Sequence, residues 1–126
     1  MRDLRIQETP IIISNGTQYS NWFVIERWAY FFGLLTGTLT PADIGIQVTL
    51  DGGTTPITVI DFATQTDAII LTSGTTNNKF VDIGDLIRSF SADYKVTRED
   101  NEWLARITSS VNQGADRTLY IIQRGN

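Results

Sequence analysis

The chain contains no cysteine and no histidine. Their absence excludes disulfide stapling, thiolate nucleophiles, most zinc sites, the Ser-His-Asp and Cys-His arrangements, and imidazole acid–base chemistry. Proton transfer is left to carboxylates, Tyr and Lys, and the sequence shows no recognisable pairing among them. The chain therefore reads as a non-enzyme, with no cofactor and no metal site expected. Charge is scarce too: 19% of the 126 residues are Asp, Glu, Lys or Arg, and the net charge is -4. The basic residues are scattered from Arg2 to Arg124, without a cluster that could neutralise successive phosphates, so nucleic acid is not an expected partner. Long apolar runs are also missing. The most apolar window, Trp22 to Leu35, is interrupted by Glu26 and Arg27 and falls short of the roughly 20 residues that cross a bilayer. Met1 to Pro10 is charged and lacks the apolar core of a signal peptide. A soluble protein with no membrane partner is the expectation.

What is present is alternation. Ile44, Ile46, Val48 and Leu50 interleave with Gly45, Gln47 and Thr49, the period of a half-buried strand. Asp51-Gly52-Gly53 then supplies residues tolerant of positive φ, and Thr54 to Ile60 resumes β-favouring chemistry. This is a β-hairpin in an antiparallel sheet. Other candidate strands are Leu4 with Ile6, ended by Pro10; Ile11 to Ser14, halted by Asn15-Gly16; and Thr17 to Ile25. Trp28 to Leu35, Asp67 to Ser73, Tyr94 to Val96, Glu102 to Ser109 and Thr118 to Gln123 follow. Phe80 to Phe90 fits a short helix and an irregular extended segment equally, since Gly84 sits amid the apolar positions Val81, Ile83, Leu86, Ile87 and Phe90.

Eight or nine short strands with turns between them predict an all-β fold, a single antiparallel β-sandwich that is jelly-roll-like. Residues 1–10 form an N-terminal arm or short opening strand, and residues 11–126 the sandwich domain.

Two motifs invite chemistry. Asp51-Gly-Gly-Thr-Thr55 lacks the Lys-Ser/Thr pair of a phosphate loop and the several carboxylates of a calcium loop, which leaves a tight turn. Asp82, Asp85, Asp93, Glu99, Asp100 and Glu102 crowd the latter half, but nothing in the sequence places two of them in one cleft, and Arg98 to Asn101 reads as a solvated loop. The aromatic cluster says more. Trp22-Phe-Val-Ile25 and Tyr30-Phe-Phe32 carry bulk on both sides of a strand, more than one inward face absorbs. Trp22, Phe23, Trp28, Tyr30 and Phe32 are therefore the candidate interface, divided between core and contact with another chain.

Three segments carry a resemblance: Ile13 to Ser20; Gly33 to Pro41 running into Ile46-Gln-Val-Thr-Leu-Asp-Gly-Gly-Thr-Thr55; and Trp103 to Ser110 followed by Ala115 to Arg124. In order and content they resemble small β-sandwich virion proteins of tailed bacteriophages, of the decoration or cement type. Such sequences often carry an opening polar turn, a Pro-containing loop, a DGGTT hairpin and a closing strand after an Ala-x-Arg-Thr link. Asn15-Gly16 stands here where Ser-Gly is commoner. The resemblance implies a non-enzymatic structural role on a phage particle, with the major capsid protein or another virion protein as partner and the virion as location. It also implies repeated copies, so a homo-oligomer is expected, a trimer being favoured at three-fold lattice positions. The competing expectation is a carbohydrate- or receptor-binding sandwich of a phage tail or fibre.

Overall fold

Period-2 alternation becomes strands that each bury one face. The computed structural model describes residues 5–61, 63–87 and 103–125. Among them lie ten strands: Arg5–Ile13 (β1), Phe23–Val24 (β2), Ala29–Leu35 (β3), Ile44–Thr49 (β4), Ile57–Thr58 (β5), Ile60–Asp61 (β6), Thr66–Asp67 (β7), Phe80–Asp82 (β8), Leu104–Ser109 (β9) and Arg117–Gly125 (β10). They form two four-stranded antiparallel sheets, ordered β1-β10-β3-β8 and β2-β9-β4-β5, and a small β6-β7 ribbon. The fold is all-β, and the two large sheets pack as a sandwich.

The core is the space between them. Ile11, Ile13, Phe32, Leu34, Leu119 and Ile121 face inward from the first sheet. Phe23, Ile44, Ile46, Val48, Ala105 and Ile107 meet them from the second. Trp103, Ala105 and Ile107 are buried in alternation with Leu104, Arg106 and Thr108, as the sequence predicts. Each large apolar side chain among them contributes about 1.5–3 kcal/mol on leaving water, which gives the register its authority: a slip of one residue would expose the whole row.

Two buried glutamines tie connections to this core. Gln123, inside the first sheet, accepts from the Glu26 N–H (2.8 Å) and donates to the Val24 carbonyl (2.9 Å), holding the corner where the chain passes from β2 to β3. Gln113 accepts from the Thr40 N–H (2.7 Å) and donates to the Ser109 hydroxyl (2.9 Å), fixing the β3–β4 connection.

Several expectations change in detail. Pro10 does not end a strand, because β1 runs through it and pairs with β10 along all nine residues. The Ile12 N–H turns away from β10 to Asn21 Oδ1 (2.8 Å), so even-numbered residues of β1 direct their backbone groups outward. Pro10 has that parity, and its missing N–H costs the ladder nothing. Asp67 to Ser73 is not one strand. Only Thr66–Asp67 pairs as a strand, while Ala68 and Ile70 donate singly to the Val59 and Ile44 carbonyls and Ile69 stands exposed.

Within Phe80 to Phe90, a strand at Phe80–Asp82 is followed by one helical turn over 84–87. The Asp82 carboxylate caps that turn by accepting the Gly84 N–H (2.7 Å). Phe90 and the candidate strand Tyr94 to Val96 lie outside the described residues, as do Asp93, Glu99, Asp100 and Glu102.

Candidate functional site

The two outer faces of the sandwich differ in which side chains their central strands present. In the first sheet, the outward positions of β10 are Thr118, Tyr120, Ile122 and Arg124, alternating with buried Leu119, Ile121 and Gln123. The register sets Ile6, Arg124 and Phe31 in one row across β1, β10 and β3. Glu8, Ile122, Gly33 and Asp82 form the next, and Pro10, Tyr120, Leu35 and Phe80 the one after, both extending onto β8. Ile12 beside Thr118 completes the face. Ile6 is 64% exposed and Phe80 53%, in a surface where apolar side chains outnumber the charges. Gly33 is part of its design: a Cβ there would lie 2.6 Å from the Phe80 ring and 3.2 Å from the Phe31 ring. The bare backbone lets the two rings stack across it, centroids 6.1 Å apart and nearly parallel. Arg124 lies over the Phe31 ring, 5.1 Å from its centre, and Glu8 and Asp82 flank the middle row, so the face mixes exposed apolar side chains with three charges.

The second sheet turns a polar face outward, with Gly45 and Gln47 of β4, Thr58 of β5, and Arg106 and Thr108 of β9. Here the Arg106 guanidinium sits between two rings, 4.2 Å from the centre of Tyr19 and 4.4 Å from that of Trp22. Its Nε donates to Gln47 Oε1 at 2.9 Å. Partial burial lowers the Arg106 pKa from the usual arginine value.

The residues singled out from the sequence divide accordingly. Phe23 and Phe32 are 3% and 2% exposed, packed in the core, and present no surface to a partner. Trp22 is half-buried, lying against Arg106 on one side and the Gly53 turn on another. Trp28 is half-buried beneath the Arg5 guanidinium, 4.7 Å from its ring centre. Of the five, Tyr30 alone is largely exposed, at 49%. The surplus bulk near Trp22 and Trp28 is thus covered within the chain by arginine, a favourable contact of about 0.5–1 kcal/mol at exposed sites. The apolar outer face falls mostly elsewhere. Its sequence signal was the run Leu119-Tyr-Ile-Ile122, which carries bulk at both parities of one strand.

The DGG turn has the geometry its residues require. Gly52 and Gly53 have φ of +74° and +102°. Asp51 Oδ1 accepts from the Thr49 hydroxyl (2.7 Å) and the Thr55 N–H (2.8 Å). Those hydrogen bonds from Thr55 and Thr49 hold the Asp51 pKa at about 2. The carboxylate is engaged in closing its own turn, and among the described residues no three acidic side chains gather as a metal site would need. Comparison with protein families, curated proteins and solved structures found no match to this chain.

Proposed function

We propose that this protein is a non-enzymatic virion structural protein of a tailed phage, a capsid decoration or cement protein that binds and stabilises the coat lattice. The observation that carries the reading is the outer face built from β1, β10, β3 and β8, where Ile6, Ile12 and Phe80 stand exposed. Exposed apolar side chains gathered on one sheet suit attachment to a larger surface. The adhesive side needs shape and apolar contact, and no proton-transfer groups. Strand order supports the finer description of the sandwich as a jelly roll, with eight strands in two sheets and the first strand beside the last. Jelly rolls serve both capsids and lectins, so the fold by itself leaves the choice to the surface. The major capsid protein is the proposed partner, with the protein self-associated as a trimer at three-fold positions.

Mixing the purified chain with stripped capsids tests this. Wild type is expected to saturate particles at lattice stoichiometry, and sedimentation to report a trimer. Ile6→Ser with Ile12→Ser is expected to abolish capsid binding while melting like wild type, because both side chains are already exposed. Wild-type protein that ignores capsids, or that is present at only a few copies per particle, would replace this reading by a tail or fibre receptor module.

A further inference from the structure

The polar outer face carries a groove of about 660 Å³, within the roughly 300–1,000 Å³ of small-molecule sites. It is lined by Tyr19, by Gly45 and Gln47 of β4, by Asp67 of β7, and by Asp43 and Gln18. We propose that this groove binds a neutral saccharide. The inference does not rest on the capsid reading, since the groove lies on the other sheet from the apolar face.

Chemistry selects the ligand class. Two carboxylates line the groove and, among the described residues, no basic side chain does; Arg106, beside Gln47, is turned between Tyr19 and Trp22. Phosphates, nucleotides and acidic sugars are therefore repelled. The remaining lining divides about evenly between hydroxyl or amide groups and apolar ones, Ile46, Ala68 and Ile69 among them, so a wholly apolar ligand would strand the polar half without partners. A sugar matches instead. Its neighbouring hydroxyls donate to planar carboxylate and amide oxygens and accept from amide N–H groups. Its C–H face lies on an aromatic ring, and Tyr19 offers one that is 44% exposed.

The site is held ready before a ligand arrives. Arg106 fixes the Tyr19 ring from one face. Gln47 is oriented by accepting from Arg106 Nε (2.9 Å) and donating to the Thr58 hydroxyl (3.3 Å). Asp43 is oriented by the Ser73 N–H (2.9 Å). Gly45 lets Thr108 and the Ala68 backbone close against β4 and wall the groove, since a Cβ there would lie 2.9 Å from Thr108 Oγ1 and 3.1 Å from the Ala68 carbonyl oxygen. Side chains already immobilised lose little entropy on binding.

The test is a glycan array followed by saturation-transfer NMR on the intact chain, using the neutral oligosaccharide with the strongest array signal. Binding in the range of about 0.1–1 mM is expected, with Tyr19→Ala and Asp67→Asn each weakening it about tenfold or more. Asp67 is exposed, so its variant reports on the groove even if Tyr19→Ala fails to fold. Ile6→Ser, on the other sheet, is expected to leave saccharide binding unchanged while weakening capsid binding, which separates the two readings. No neutral glycan bound at about 10 mM, or binding that survives both groove variants, would overturn the proposal. So would a preference for acidic glycans.

Discussion

Gln123 sits fully buried in a wall of isoleucine and leucine, with both ends of its amide engaged. Gln123→Leu keeps the side-chain volume nearly constant and removes only the polar reach. The Glu26 N–H and the Val24 carbonyl then lose their partners at a corner too tight to rearrange freely. An unsatisfied buried backbone group costs about 1–3 kcal/mol, so two of them cost about 2–6 kcal/mol. Both hydrogen bonds are only partly buried, and leucine regains some apolar burial. The expected net loss is about 2–3 kcal/mol. For a domain of this size about 1 kcal/mol moves Tm by roughly 4 °C, which puts the drop near 8–12 °C. Differential scanning calorimetry reads it, with Thr118→Val, exposed on the same strand, as the control. Hydrogen exchange adds a local check, because the Glu26 amide, at the corner before β3, is expected to lose protection before the amides of β3. A Tm within about 2 °C of wild type, with Glu26 still protected, would show that Gln123 does not hold the corner.

Gly52→Val and Gly53→Val are each expected to cost about 1–2 kcal/mol in thermal melts for the left-handed backbone alone. Gly53→Val is expected to cost more than Gly52→Val, since a Cβ at Gly53 would meet Trp22 Nε1 at 2.8 Å while Gly52 has open space; equal costs would remove Trp22 from the explanation. Asp51 has a depressed pKa, so its turn stabilises the fold fully above the ordinary carboxylate range and loses that contribution as pH falls toward about 2. NMR titration of the Asp51 carboxyl carbon is expected to show a midpoint near 2, and Asp51→Asn to lose that acid dependence; a midpoint near the model-peptide value would contradict the hydrogen bonding described. Arg106→Met keeps the aliphatic stem but removes both ring contacts, with an expected loss of about 1–2 kcal/mol and altered near-ultraviolet circular dichroism from Trp22.

The strands that form the centre of each sheet were legible because each buries a strict alternation: β4, β9 and β10 follow Ile44 to Val48, Trp103 to Ile107 and Leu119 to Gln123 nearly residue for residue. The DGG and Asn-Gly turns were legible from φ preference alone, and Gly16, Gly52 and Gly53 all have positive φ. Edges were harder to read. Whether Pro10 breaks a strand depends on which side of β1 lacks a partner, and that is a property of sheet order rather than of local sequence. The sequence divides the aromatic surplus between core and contact with another chain; within the chain, Arg5 and Arg106, distant in sequence, lie over Trp28 and Trp22 respectively. The apolar outer face likewise needs the β1, β10, β3 and β8 registers before its rows exist. The groove draws on Tyr19, β4 and β7, which no short motif joins.

Pairing β1 with β10 has a kinetic consequence. The first strand cannot complete its ladder until the last has left the ribosome, on the order of ten seconds later at about 5–20 residues per second. During that interval Ile11-Ile-Ile13, the most β-prone part of β1, is without its native neighbour. Closing so long a loop also places the step late, among the slow millisecond-to-second events of non-local β folding. Synthesis at high copy number would then crowd many such unpaired strands together. A nascent-chain crosslinking experiment should find this tripeptide held by chaperones until Gly125 emerges.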